Sequence, residues 1–266
     1  MIKILGILLL IISFFFLPQK IVDKKLEGNR EIVIRKTFVI KEPVDSTPIE
    51  KVEKRIDIPS TTSNWWKYPE VIYETTKSGN DLLVLVNKEY KLPSTYTPSD
   101  LVRASNSGIR SGENYYLRNI LISDLTDMVN YAKSSGIDLS IVSGYRSYQT
   151  QVSTYNYWLA KNNYNVEYVD TFSARPGHSQ HQLGTVIDFS SSEIGDALGD
   201  AFANTKASTW LKENAYKHGF VISFPKGYES VTGYKYESWH YRYIGKANAL
   251  EMINSGMILE NYLKTK

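Results

Sequence analysis

The chain has 266 residues, enough for one or two domains, and its 42% hydrophobic and 22% charged residues are ordinary for a globular protein. A formal charge of only +3 makes no case for a nucleic-acid partner. There is no cysteine, which excludes disulfides, thiol catalysis, iron–sulfur clusters, thiolate-held zinc and a lipidated cysteine anchor; any metal must sit on Asp, Glu or one of four histidines, His178, His181, His218 and His240.

Lys3 precedes an apolar run from Ile4 to Leu17, the pattern of a secretory signal. The run is short for a spanning helix, which needs about 20 residues. No small-x-small cleavage site comes after it, because Phe14, Phe15, Phe16 and Leu17 lead straight into Pro18. Residues 1–18 are expected to be a signal peptide or, in preference, an uncleaved membrane anchor that places the rest of the chain outside the cytoplasmic membrane. Residues 19–75 read as a charged stalk: charges of both signs are dense, as in Lys51-Val-Glu-Lys-Arg55, and Ile58 to Asn64 is loop chemistry. Arg30 to Ile40 alternates enough for a strand.

The packed domain is expected over residues 76–266. Leu82 to Val86 is a candidate buried strand. Asn119 to Ser135 has apolar residues at helical spacing (Ile120, Leu121, Leu125, Met128, Val129, Ala132) and ends at Gly136. Ile137 to Val142 reads as a strand, and Ser147 to Asn162 as a helix with Val152, Tyr155, Trp158 and Leu159 on one face. A short strand over Val186 to Phe189, a helix from Ala207 to His218 ending at Gly219, a strand from Trp239 to Ile244 and a helix from Ala247 to Asn254 complete the domain. Interspersed strands and helices predict an α+β fold, a small antiparallel sheet flanked by helices.

Three segments carry chemistry: Ser143-Gly-Tyr-Arg146-Ser-Tyr148, then Arg175-Pro-Gly-His-Ser179-Gln-His181-Gln-Leu-Gly184-Thr-Val-Ile-Asp188-Phe, then Glu237-Ser-Trp239-His240-Tyr-Arg242. A catalytic metal site commonly takes three protein ligands and leaves a position open. His181, Asp188 and His240 can supply such a set, with Gly184 letting the chain turn back between the first two. Asp188 lies in an apolar strand, where a carboxylate needs a positive partner; a metal and the Arg146 guanidinium both qualify. His178 is a rival ligand in a loop after Pro176-Gly177 that is expected to be exposed. His218 falls at a helix C-terminus, where a cation meets the helix dipole.

Glu237 is three residues from His240, so a bend must bring both to one place. Once there, Glu237 can act as a general base; the plainer reading pairs it with Lys235 at the surface. Arg146 can polarise a carbonyl, stabilise an oxyanion or fork onto a terminal carboxylate.

The spacing Ser179-x-His181-x-x-Gly184-x-x-x-Asp188, with Glu237-x-Trp239-His240 after it, resembles the signature of the LAS-type zinc peptidases, in particular the VanY- and LdcB-like D-alanyl-D-alanine and L,D-carboxypeptidases of bacterial cell walls. Ser143-Gly-Tyr-Arg146-Ser and Leu85-Val-Asn-Lys-Glu-Tyr-Lys-Leu-Pro93 resemble further family segments, and the likeness spans about residues 82–250. Thr185-Val186 departs mildly from the pattern. The resemblance implies Zn2+ on His181, Asp188 and His240, Glu237 as general base and Arg146 at the carbonyl or oxyanion. Substrate contacts are expected from Ser179, Arg146 and Tyr148, the last two from the same arginine segment. The implied activity is a D,D-carboxypeptidase on peptidoglycan stem peptides at the cell envelope. L,D-carboxypeptidase, endopeptidase and non-catalytic wall-binding roles are the alternatives, with selectivity expected in loops such as Tyr164 to Ser173. An iron oxygenase also uses two His and one carboxylate, but usually at closer spacing.

Overall fold

The computed structural model describes residues 64–266; the expected anchor (1–18) and most of the stalk lie outside the described residues. Among those described, no helix is long and apolar enough to cross a membrane. The centre is a four-stranded antiparallel sheet of β5 (Ser140–Ser143), β6 (Val186–Ser190), β8 (His240–Tyr243) and β7 (Phe220–Ile222), in that order across the sheet. Two small ladders lie apart from it. In one, β1 (Tyr73–Glu74) pairs in parallel with β2 (Tyr90–Lys91); in the other, β3 (Leu101–Arg103) pairs antiparallel with β4 (Tyr116–Arg118). The expected α+β fold with a small antiparallel sheet is present.

Side chains alternate across a strand, so each strand here has a core side and a site side. Ile141, Ile187, Phe189, Tyr241 and Tyr243 enter one hydrophobic core with Leu125 and Met128 of α1 (Ile122–Ser134) and with Trp210 and Leu211 of α4 (Lys206–Asn214). Each such burial contributes roughly 1.5–3 kcal/mol. Asp188, His240 and Arg242 take the other side. A second cluster joins Val221 and Ile244 to Met252 of α5 (Lys246–Asn254) and Leu259 of α6 (Leu259–Lys264).

Between β5 and β6 the register shifts: Ile141 opposes Phe189, but Ser143 opposes Asp188. The extra residue, Val142, is a β-bulge, and it re-aims the residues after it. Without it Ser143 would share the core side with Ile141. With it, Ser143 lies beside Asp188, and the chain leaves toward Arg146 on the site side. Ser147 then caps α2 (Tyr148–Lys161), its Oγ accepting from Thr150 N at 3.1 Å. The inward stripe of α2 is Gln151 and Tyr155, whereas Trp158 stays 37% exposed, so the expected all-apolar face is half polar. The loop after α2 contains the short helix α3 (Val166–Asp170).

Leu82 to Val86 is buried in part but is not a strand. Its carbonyls have another partner. Arg242, fully buried on the site side of β8, donates from Nη2 to Leu82 O (3.0 Å) and Val84 O (2.6 Å). One guanidinium thus takes the place of a neighbouring strand. The helix expected from Asn119 begins as a tight turn over Asn119–Leu121, which leaves Ile120 48% exposed. The helix expected to reach His218 tightens after Asn214 into a turn over Ala215–His218 and closes at Gly219.

Residues 64–75, assigned to the stalk by composition, pack on the domain. Tyr68 Oη accepts from Arg175 N at 2.9 Å and lies 3.1 Å from Tyr234 Oη, while Tyr73 pairs with Tyr90. Lys88 is buried between the Tyr68 and Tyr234 rings, 4.3 and 4.2 Å from their centroids, and donates to Asp170 O at 2.7 Å.

Gly184 has φ +69°, and a Cβ there would stand 2.9 Å from Arg118 Cγ. That side chain cannot yield, because Arg118 is held by Asp100 (2.8 Å) and by Asn80 O (3.0 Å). The left-handed conformation alone costs a non-glycine residue about 1–2 kcal/mol. Gly184→Ala should therefore lower the free energy of unfolding by at least that much in a denaturant titration. A wild-type midpoint would refute the constraint.

Candidate metal centre

The row that the bulge creates runs Ser143, Asp188, His240 across three strands, the latter two directly opposite in register. His181 arrives from the turn Gln180–Leu183, which Ser179 caps by accepting from His181 N at 3.3 Å and which Gly184 closes. Asp188 Oδ2 is 3.2 Å from His181 Nε2, and Asp188 Oδ1 is 3.2 Å from His240 Nδ1. One donor atom from each of the three lies within 4.8 Å of the others, and all three residues are buried.

The set fits a divalent metal. His181 Nδ1 donates to Gly144 O at 2.7 Å, which turns the bare Nε2 toward Asp188. Asp188 Oδ1 is buried and finds no hydrogen bond of acceptable geometry. In a tetrahedron with bonds of about 2.0–2.1 Å the ligand atoms stand about 3.3 Å apart, and each imidazole here has one oxygen of the Asp188 carboxylate at 3.2 Å, Oδ2 for His181 and Oδ1 for His240. The donors are nitrogen and oxygen, as the absence of thiols requires.

Glu237 reaches the cluster through a turn over Ser238–Trp239, closed by His240 N donating to Glu237 O at 3.4 Å. Its Oε2 lies 3.3 Å from His240 Nδ1, and the side chain is buried rather than paired with Lys235 at the surface. Burial pushes the Glu237 carboxyl above the usual carboxylate range, against the pull of His240. Burial also works to raise Asp188, but the imidazoles of His181 and His240 prevail and hold it well below that range. Desolvation draws His181 down. It draws on His240 too, yet the close approach of the Asp188 and Glu237 carboxylates holds that ring up at about 9, an imidazolium between two carboxylates. A divalent cation in that position supplies the positive charge which the proton otherwise brings.

Arg146 does not pair with Asp188. Its Nη1 donates to Gln151 Oε1 (2.9 Å) and its Nη2 to Ser143 Oγ (3.0 Å), while Gln151 Nε2 donates to Ala174 O (2.6 Å). Burial lowers the guanidinium pKa and the nearby carboxylates of Asp188 and Glu237 raise it. Gln151 is almost fully buried, and a search for apolar helix faces passes over it. A lone glutamine one helical turn before Tyr155 is the only trace it leaves in the sequence.

Arg146, Ser179, His181, Asp188, Glu237 and His240 all line one cleft of about 430 Å³, together with the rings of Phe224 and Tyr234. Tyr148, expected to contact substrate, does not line it; as the first residue of α2 it turns its ring against Gly177 instead. His178, expected in an exposed loop, is buried on the cleft wall, its ring edge-to-face with Tyr68 and its Nδ1 donating to Asn87 O at 2.8 Å. Burial depresses it to about 4, so it is neutral. His218 ends its helical segment as expected, but burial and Lys246 push its pKa down, opposite to the favoured cation.

A buried carboxyl within reach of a cation-binding set, in one cleft, is what peptide hydrolysis needs, and the class that fold and site define is that of the metallopeptidases. The family can be given as well: the VanY model, described as D-alanyl-D-alanine carboxypeptidase, matches residues 114–246, and the chain belongs to that family. It is 38% identical over 193 residues to the YodJ protein of Bacillus subtilis (strain 168), covering 72% of this chain and 70% of that one. A D-alanyl-D-alanine carboxypeptidase of Enterococcus faecalis (strain ATCC 700802 / V583) is 31% identical, over 69% of this chain and 66% of the relative. Among solved structures, the LdcB LD-carboxypeptidase superposes with a TM-score of 0.65 at 32% identity, over 77% of this chain and 97% of that one. A vancomycin-resistance D,D-pentapeptidase VanY in complex with Zn(II) gives a TM-score of 0.57 at 28% identity, over 70% and 99%.

The geometry sets two expected outcomes. Asp188→Ala should abolish the binding of an equimolar divalent ion seen by calorimetry, while His178→Ala should retain it; equal retention by both would dismiss the ligand set. Gln151→Leu should keep metal binding yet lower kcat/KM by roughly tenfold or more, since a buried charged donor loses its acceptor. Wild-type kinetics in that variant would remove Gln151 from the site.

Proposed function

We propose that this chain is a zinc-dependent D,D-carboxypeptidase that removes the C-terminal D-alanine from peptidoglycan stem peptides outside the cytoplasmic membrane. The observation that carries the reading is a buried His–Asp–His set facing a buried glutamate and an oriented arginine in one cleft. The D-alanyl-D-alanine carboxypeptidases among its relatives support the substrate class, and the zinc-bound VanY structure supports the metal. The basic start and apolar run of residues 1–18 support export and membrane attachment.

His181, Asp188 and His240 would hold the ion. A bound zinc supplies Lewis acidity, bringing the pKa of a coordinated water toward about 7 and polarising a carbonyl. Glu237 accepts a proton from the attacking water as the new C–O bond forms, then returns it to the leaving amine as the C–N bond breaks. Arg146 meets either the developing oxyanion or the terminal carboxylate of the substrate. Gln151 and Ser143 fix it beforehand, so little reorganisation is left for the reaction. Ser179 accepts from His181 N and keeps its own hydroxyl proton to donate, which suits a carboxylate nearby.

The likeness to the LdcB LD-carboxypeptidase gives a second reading, the same chemistry on the tetrapeptide stem. Incubation with pentapeptide and tetrapeptide stems separates the two. D-alanine should appear from the pentapeptide, stop on addition of a zinc chelator, return with zinc, and fall by about 10²–10⁴-fold in Glu237→Ala with the metal still bound. Release from the tetrapeptide alone would move the selectivity to L,D. Release from neither by the zinc-loaded protein would sink the carboxypeptidase reading.

A further inference from the structure

The cleft does not stop at the metal centre. It continues between the end of α2 and the loop that contains α3, where Trp158, Tyr168 and Phe172 line it together with Lys235. The three rings form a continuous wall. Phe172 meets Trp158 edge-to-face at 5.4 Å between centroids and meets Tyr168 in the same manner at 5.4 Å. Lys235 Nζ lies 4.6 Å from the Tyr168 centroid and 5.9 Å from that of Phe172. The backbone N–H of Lys235 donates to Thr171 O at 2.8 Å, fastening the lysine to the wall. Tyr168 is 46% exposed and Lys235 is exposed as well. Neither is spent on the core.

Two features make this a binding surface. Ring faces favour the charged ammonium and restrict where it can point, so an arriving anion meets a placed charge. Among the described residues, moreover, no carboxylate pairs with Lys235. The direction of the substrate is set by the carboxypeptidase reading, on which this inference rests. A single residue leaves on the carboxyl side of the broken bond. Any part of the cleft beyond the metal centre and Arg146 therefore serves residues on the amino side.

We propose that Trp158, Tyr168, Phe172 and Lys235 form an upstream subsite for a peptide segment that bears a free carboxylate before the terminal residues. The rings pack against the C–H surface of that segment, and Lys235 pairs with its carboxylate. The subsite thus selects acidic stems over amidated ones, a choice the metal centre cannot make.

The test uses two peptides with the same terminal residues, differing only in whether the upstream acidic residue carries a carboxylate or a carboxamide. With the zinc-loaded wild-type protein, kcat/KM for the acid should exceed that for the amide by roughly fivefold, the size of one partly exposed charge pair. Lys235→Gln should bring that ratio to about one, and Lys235→Glu should invert it. Trp158→Ala should raise KM for both peptides and leave the ratio in place. A wild-type ratio of one, or a ratio untouched by Lys235→Gln, overturns the proposal. The same pair is titrated by calorimetry, which keeps the two readings apart. If neither peptide is cleaved but the acid binds more tightly and Lys235→Gln removes the difference, the subsite stands and the carboxypeptidase reading falls. Equal binding of acid and amide by the wild-type protein overturns the subsite.

Discussion

A carboxylate set in the middle of a buried strand is the constraint around which this domain is arranged. Asp188 is 3% exposed, flanked in sequence by Ile187 and Phe189, whose side chains belong to the hydrophobic core. A charge in that place is prohibitive unless positive groups surround it. The His240 imidazolium serves that need, as would a cation held together with His181, and each histidine is brought by a different device. His240 comes by strand register and His181 by a capped turn that ends at a left-handed glycine. The bulge at Val142 then adds Ser143 to the row and delivers Arg146 to its edge. Much of the backbone irregularity around the sheet can be read as the means of satisfying one side chain.

Across the sheet, the labour is divided between its two sides. Ile141, Ile187, Phe189 and Tyr241 bind the sheet to α1 and α4. Asp188, His240 and Arg242 project the other way. There Arg242 gives the 82–86 segment its hydrogen bonds, and His240 takes part in the metal set. Polar residues two apart on β8 therefore do unlike tasks, one structural and one chemical. Beside the metal set the buried polar groups hold one another, Arg146 by Gln151 and Gln151 by a backbone carbonyl.

Much of this was legible in the sequence. The order and type of the central elements came from periodicity, and the ligand candidates from having only four histidines to choose among. The turn between Glu237 and His240 was required by their spacing. The features that escaped did so for physical reasons. Leu82 to Val86 has the composition of a strand, but its partner is a side chain far along the sequence, and propensity cannot see such a partner. Gln151 was invisible because burial of a polar residue depends on the arginine and carbonyl it meets. His178 looked exposed beside Pro176-Gly177, although the loop folds inward onto Tyr68. That tyrosine was itself assigned to a stalk on composition alone.

The corner between Glu237 and His240 has a consequence for how such a chain can change over generations. The proposed base and one proposed ligand are separated by two residues, and a tight turn is all that brings them to the same face. Adding or removing a single residue there would swing Glu237 away from His240 while leaving the strand, the core and the other ligands where they are. A change of length there cannot be absorbed. Descent with variation in this corner is thus confined to changes that keep its length.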